Sequence, residues 1–138
     1  MVDTMTASAE ATSAIAAQIR AASDACRPAL LVLFGSRARG DAATQADWDF
    51  GYLPAQATDP ERLRELLVTY LRTDDVDLAD LSRASGLLRY RAARDGVPIY
   101  EAEAGAHLAF QEEAARAWCE MAPVLQRAYS AVLEELGR

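Results

Sequence analysis

The sequence predicts an α/β (α+β) fold in which short strands alternate with helices and a long helix closes the chain. Short apolar runs bounded by Gly or Pro predict buried strands, and apolar residues three or four positions apart predict helices. The chain has 138 residues, of which 51% are apolar and 25% charged, as is typical of one folded domain. We expect a single domain over residues 1–138, with a core at about 28–101 and a helical extension at about 105–137.

The first half of the chain contains one predicted helix and two predicted strands. Apolar residues at helical spacing between Ile15 and Cys26 predict a helix that ends near Pro28. The continuous apolar run over residues 29–34 predicts a strand that is buried on both faces. Residues 47–53, in which acidic and bulky side chains alternate, predict a second strand.

The second half repeats this alternation. Residues 60–71 predict a helix with Asp59 as its N-cap and a proline at its first position. Residues 76–81 predict a third strand, and a short helix is expected to end at Asp95-Gly96. Residues 97–100 predict a fourth strand at the edge of the sheet, because their proline is tolerated only there.

One long helical pattern runs from about Ala106 to Leu136, and Pro123 interrupts it as a potential kink. Its apolar series includes Trp118 and Tyr129. Two interpretations stay open for this face: it packs on the chain's own sheet, or part of it docks a partner protein.

The charge of the chain excludes some classes of function. The net charge of -7, from 14 basic and 21 acidic residues, disfavours a surface that grips long nucleic acid through its phosphates. The two cysteines fit no metal or redox spacing and are interpreted as reduced. No secretory signal and no membrane-spanning run is recognised, so a cytoplasmic location is expected.

Gly35 and Ser36 follow the first predicted strand. A turn at this position leaves free backbone N–H groups, and together with a hydroxyl they form a site for an anion such as phosphate. Gly35 would let the backbone approach a phosphate closely, and Ser36 would donate a hydrogen bond to it. Because Gly-Ser pairs are also common in ordinary turns, this signal alone does not establish a nucleotide site.

Asp47 and Asp49 are two residues apart in the second predicted strand, so their carboxylates point to one face while Trp48 and Phe50 point to the other. Neighbouring carboxylates repel each other, and a cation between them relieves the repulsion. Mg²⁺ prefers such oxygen ligands together with substrate phosphates. The pair therefore predicts a magnesium site, against the alternative of a solvated acidic pair.

A third carboxylate is expected because two-metal sites need ligands for both ions. Asp77, in the third predicted strand, is preferred. Asp80 is the alternative, although three residues on it would face the other side of a regular strand. Asp75 lies in a turn-like stretch, where a solvated side chain is the usual outcome.

Gly35-Ser36, ten intervening residues and Asp47-Trp48-Asp49 together resemble the signature of the DNA polymerase β superfamily. Three segments resemble its minimal nucleotidyltransferase (MNT) branch: residues 34–42, 76–81 and 95–100. The likeness therefore spans roughly residues 28–101. The sequence departs from the pattern at Ala46, where relatives usually have serine, which removes a cap but no ligand.

The resemblance implies a small mixed β-sheet flanked by helices, two Mg²⁺ ions, and ATP as the nucleotide. It implies that Asp47, Asp49 and Asp77 are the metal ligands and catalytic residues, with Asp77 also a candidate base for the acceptor hydroxyl. Because all three acids are present, we expect an active enzyme. Arg39 is a further candidate for binding the triphosphate, although an arginine on a solvated helix face is equally ordinary.

MNT proteins of this size resemble the antitoxins of HEPN/MNT toxin–antitoxin pairs. That likeness implies a helical HEPN ribonuclease toxin as the partner and transfer of AMP to a tyrosine hydroxyl of the toxin. Three alternatives stay open. The chain is an antitoxin that masks the toxin without catalysis, or it adenylylates a small molecule or an RNA end, or it only binds nucleotide.

Overall fold

Four strands form one sheet in the computed structural model of the protein, which describes residues 4–35 and 47–137. The strands are β1 (Leu30–Phe34), β2 (Trp48–Leu53), β3 (Val76–Asp80) and β4 (Val97–Glu101). Their spatial order is β3-β2-β1-β4. β1 is antiparallel to β2 and to β4, whereas β2 and β3 are parallel. The predicted mixed sheet is therefore confirmed.

In the described part of the chain, four α-helices flank the sheet: α1 (Thr4–Ala21), α2 (Pro60–Leu71), α3 (Gly86–Asp95) and α4 (Ala106–Leu136). The bounds of α2 and α4 agree with those predicted from the sequence. None of the helices in the described ranges is both long and apolar enough to cross a membrane.

The two faces of the sheet are covered by different helices. Side chains alternate along β1, so that Leu31 and Leu33 pack with α1 and α2, while Leu30 and Val32 pack with α3 and α4. All four of these leucine and valine side chains are buried. The prediction that the first strand is buried on both faces is therefore confirmed.

Helix α2 begins with the predicted cap. The side chain of Asp59 accepts a hydrogen bond from the backbone N–H of Glu61 at 3.1 Å, and Pro60 occupies the first helical position. Proline fits there because its missing N–H would have no partner inside the helix. Ser85 caps α3 in the same way, accepting from the N–H of Leu88 at 3.2 Å. The sequence analysis did not identify this second cap.

The first helix ends earlier than the sequence predicts. α1 stops at Ala21, and a separate 3₁₀ turn follows at Asp24–Cys26. The end of the helix is capped by Arg27, whose guanidinium donates to the carbonyl oxygens of Arg20 (3.3 Å) and Ala22 (3.0 Å). These bonds satisfy the carbonyls that a helix end leaves free. The prediction that the helix continues to Pro28 was wrong.

The fourth strand lies at the edge of the sheet, as its proline predicts. Pro98 pairs with Val32 on β1, and the register shifts between Leu31 and Val32. An irregular edge strand tolerates a residue that cannot donate a ladder hydrogen bond.

Arg89 on α3 contacts both the sheet and α4. Its guanidinium donates to the carbonyl oxygen of Leu81 at 2.6 Å, and it lies 3.4 Å from a carboxylate oxygen of Glu113 on α4. The guanidinium also sits over the ring of Phe110, 5.5 Å from its centre. Arg89 therefore has a structural role in joining β3, α3 and α4.

Candidate functional site

The sheet register brings two of the predicted acids side by side. Asp49 on β2 pairs with Asp77 on the parallel strand β3 and with Phe34 on the antiparallel strand β1. Directly paired residues of neighbouring strands point to the same face of a sheet, and the strands lie about 4.8 Å apart. Both carboxylates therefore lie on the face that α3 and α4 cover, at the edge where β2 and β3 begin.

Electrostatic coupling joins Asp47 to the same cluster. Asp47 is an exposed residue immediately before β2. The pKa of Asp49 is raised above its ordinary value, first by burial of its carboxyl group and then by the negative charges of Asp77 and Asp47. Like charges raise one another's pKa only when they lie close together. The three acids thus form one charged group in which Asp49 is central.

The turn after β1 touches this group directly. Gly35 has a positive φ of 78°, a conformation that glycine adopts without strain. A Cβ atom at this position would lie 2.5 Å from Oδ2 of Asp49, closer than two such atoms can approach. The backbone at Gly35 therefore packs against the Asp49 carboxylate, and a side chain at this position would strain the turn and displace that carboxylate.

Ser36 and Arg39, the two other predicted nucleotide-binding residues, lie outside the described residues. Their roles remain predictions from the sequence.

Asp80, the alternative third acid, lies on the opposite face of the sheet. It pairs with Tyr52, and its Oδ1 accepts hydrogen bonds from the backbone N–H and the hydroxyl of Ser82 at 2.9 and 2.5 Å. The pKa of Tyr52 is raised by burial and secondarily by the charge of Asp80. Asp80 therefore closes the turn after β3, while Asp77 shares the face of Asp49.

The aromatic residues that alternate with the acids pack on the other face, as predicted. Phe50 is fully buried among residues of α1 and α2, and Trp48 packs beside it with the ring centres 6.1 Å apart. These two side chains fix the orientation of β2, because turning the strand over would bury the carboxylates and expose both rings.

The acidic group supplies only carboxylate oxygens, which suits Mg²⁺ better than softer metals. Within residues 4–35 and 47–137, no group of three or more His, Cys, Asp or Glu side chains is arranged so that it could hold a metal ion by itself. Magnesium is commonly held by one or two carboxylates plus substrate phosphates and water. The residues fit a metal ion that is bound jointly with a nucleotide.

A surface groove of about 490 Å³ lies on the opposite side of the molecule, between α1 and α2. Gln18, Arg62 and Tyr70 are among the residues that line it, and none of the three acids does. Its size alone does not make it the reaction site. The clustered carboxylates and the glycine turn mark the other face instead.

The raised pKa of Asp49 leads to a prediction for stability. The ordinary pKa of an aspartate carboxyl is 3.8, and that of Asp49 is higher in the folded state. A carboxyl group with a raised pKa destabilises the fold at neutral pH, where it must be ionised. That cost disappears as the pH falls through the raised pKa towards 3.8. With a chelator present to remove metal ions, Asp49→Asn should therefore unfold at a higher urea concentration than the wild type at pH 7. The difference between the two midpoints should be smaller at pH 4. Asp75→Asn, which removes an exposed acid before β3, is the control.

An Asp49→Asn midpoint equal to that of the wild type at pH 7 would contradict the proposed crowding of the three acids.

The chain belongs to the polymerase β nucleotidyltransferase family, whose pattern matches residues 18–104. The match includes β1 to β4, all three acids and the glycine turn. The fold and the acidic site thus define a nucleotidyltransferase.

A curated relative is the protein adenylyltransferase MntA of Aphanizomenon flos-aquae (strain 2012/KM1/D3). It is 35% identical over an alignment that covers 52% of this chain and 56% of the relative. The chain therefore matches only about half the length of that protein.

Solved structures resemble the chain over most of its length. A toxin–antitoxin complex with AMP-PNP contains a chain with a TM-score of 0.64 and 25% identity, matched over 92% of this chain and 98% of that one. The complex of the tri-AMPylated Shewanella oneidensis HEPN toxin with its MNT antitoxin gives a TM-score of 0.61 at 23% identity, over 95% and 99% of the two chains. The second likeness is one of fold alone.

Proposed function

We propose that this protein is an antitoxin enzyme that transfers AMP from Mg-ATP to a tyrosine hydroxyl of a cognate HEPN toxin and thereby neutralises it. The observation on which the proposal depends is the contact of the Asp49 carboxylate with the backbone of Gly35, beside Asp77 on the neighbouring strand and near enough to Asp47 for its charge to raise the pKa of Asp49. Two further findings support it: the relative is a protein adenylyltransferase, and the similar solved chains come from toxin–antitoxin complexes.

Each part of the site has a role in this reaction. Asp47, Asp49 and Asp77 would hold the magnesium ions, which would supply positive charge to the phosphates and the leaving group. The backbone at Gly35 and the hydroxyl of Ser36 bind the triphosphate, and Arg39 adds a bidentate contact to it.

The chemical step is an in-line displacement at the α-phosphorus of ATP. The tyrosine oxygen forms a bond to this phosphorus, the bond from the phosphorus to the bridging oxygen breaks, and pyrophosphate leaves. The carboxylate of Asp77 accepts the proton of the hydroxyl. Catalysis rests on positioning and on charge neutralisation, as in phosphoryl transfer generally.

Labelled ATP separates this function from its alternatives. The chain is incubated with Mg²⁺, α-³²P-ATP and its cognate HEPN toxin, and label is followed on protein, RNA and small molecules. Label on a toxin tyrosine is the expected result. Toxin binding without label would indicate a masking antitoxin, and label on other acceptors without the toxin would indicate another transferase. ATP binding without pyrophosphate release would indicate a nucleotide-binding module.

A pair of substitutions on one strand tests the choice of third acid. Asp77→Asn should lower transfer by about 100-fold or more, because it removes both a ligand and the base. Asp80→Asn should leave transfer near the wild-type rate, since that carboxylate closes a turn on the other face. The measurement is the initial rate of label transfer at saturating ATP and Mg²⁺. The reverse order of effects would move the third acid to Asp80.

A further inference from the structure

The distal half of α4, residues 121–136, leaves an apolar surface without cover. Seven of its large apolar side chains are between 43% and 77% exposed: Met121, Val124, Leu125, Tyr129, Val132, Leu133 and Leu136. Contiguous apolar surface of this kind marks an interaction site.

The buried side chains of α4 lie in its proximal half. The proximal half of α4 packs on the sheet through the buried side chains of Phe110 and Ala114. Trp118 stacks on Tyr90 of α3 with ring centres 5.3 Å apart, and Met121 lies against Gly86, the first residue of α3. Within the described residues, 122–136 contain no buried side chain.

The width of the apolar surface indicates the shape of its partner. At 100° per residue, the apolar positions of the segment cover an arc of about 200°, with Glu135 as the charged residue among them. Arg127, Ser130 and Glu134 occupy the opposite arc. A single helix partner needs only a narrow stripe, so an arc this wide fits a groove between two helices.

Charge favours a different protein over a second copy of this chain. Each copy has a net charge of -7, and two such copies repel each other. A partner that acts on RNA is expected to present positive charge and would be attracted. A match over 92% of this chain must also include most of α4, so the chain in the solved toxin–antitoxin complex shares this helix.

We propose that the apolar face of residues 121–136 is the surface by which the chain docks onto its helical HEPN toxin, in a groove between two toxin helices. The inference rests on the proposed function for the identity of the partner. It does not depend on AMP transfer, because docking is separate from the acidic site on the sheet.

Two double variants of the same helix test the proposal. Leu125→Asp with Val132→Asp lowers the charge of the apolar face by two, and Arg127→Gln with Ser130→Asp lowers the charge of the polar face by the same amount. The purified cognate HEPN toxin is titrated with each variant by calorimetry. Circular dichroism and thermal unfolding establish that both variants are folded.

The apolar-face variant should bind the toxin at least about 30-fold more weakly than the wild type, whereas the polar-face control should bind like the wild type. In the transfer assay, the loss should be found in the KM for the toxin rather than in kcat. Equal toxin affinity of the wild type and the apolar-face variant would overturn the docking inference, and so would a wild type that does not bind the toxin.

Sedimentation of the protein alone tests the second-copy alternative. A wild-type dimer that the apolar-face substitutions dissociate, with toxin affinity unchanged, would also overturn the inference. If the wild type binds the toxin through this face but transfers no label, docking stands and the proposed catalytic function fails. The two failures are therefore distinguishable.

Discussion

Replacing Asp49 with alanine is expected to abolish AMP transfer while the protein stays folded. Asp49 is the central member of the acidic group, flanked by Asp77 across the strand pair and coupled to Asp47. Loss of a ligand to a catalytic metal removes several kcal/mol of transition-state stabilisation, so the rate should fall by at least about 1,000-fold. Asp47→Ala should behave in the same way. The measurement is the rate of label transfer from α-³²P-ATP to the toxin.

The fold should survive because the substitution removes a repelling charge rather than a stabilising one. Asp75→Ala, which deletes an exposed acid of the turn before β3, should transfer normally and serves as the control. An Asp49→Ala protein that is folded and still transfers AMP at a rate near that of the wild type would remove Asp49 from the site.

The second large effect is expected from Gly35→Ala. The new Cβ would lie 2.5 Å from Oδ2 of Asp49, so either the turn or the carboxylate must move. A displacement of about 1 Å in a positioned group costs on the order of 100-fold in rate. Alanine at a φ of 78° also strains the backbone, and the free energy of unfolding should fall by about 1–3 kcal/mol.

Gly105→Ala is a matched control for this prediction. Gly105 also has a positive φ, of 94°, but a Cβ there would meet nothing within 4 Å. It should therefore lose stability for the same backbone reason and keep its transfer rate. Comparable losses of transfer in the two variants would show that strain, and not contact with Asp49, explains the effect of Gly35→Ala.

Local patterns were sufficient to predict most of the secondary structure. The N-cap at Asp59, the edge strand at Val97–Glu101 and the long helix at Ala106–Leu136 all follow from short-range rules about capping, proline and periodicity. The end of α1 did not follow, because its carbonyls are capped by Arg27, six residues beyond the last helical residue. Rules based on helix propensity consider the residues next to a helix end, and they do not recognise a side-chain cap from a residue farther along the chain.

The candidate site shows the same division. The two-residue period of a strand is enough to put Asp77 and Asp80 on opposite faces, and the structure places them so. The contact between Gly35 and Asp49 depends on the antiparallel register of Phe34 with Asp49. That register is a long-range property of the sheet, and no spacing along the chain specifies it.

The two halves of the long C-terminal helix differ in burial, and the apolar periodicity of the sequence does not predict this difference. Its proximal half packs on the chain's own sheet through Phe110 and Ala114, as one interpretation of the sequence held. Its distal half is exposed, as the other interpretation required. Apolar spacing is the same in both halves, because a helix buries a stripe in the same way against its own sheet or a partner.

Manganese binding tests the central claim, that the three acids and the glycine turn bind a divalent ion together with a nucleotide. Mn²⁺ replaces Mg²⁺ at oxygen-ligand sites, and its electron paramagnetic resonance signal reports the free ion. AMP-PNP alone also binds Mn²⁺ and is the reference. The wild type should lower the free Mn²⁺ signal below that reference, and Asp49→Asn should not, although it remains folded. Equal Mn²⁺ binding by the wild type and by Asp49→Asn would contradict the account.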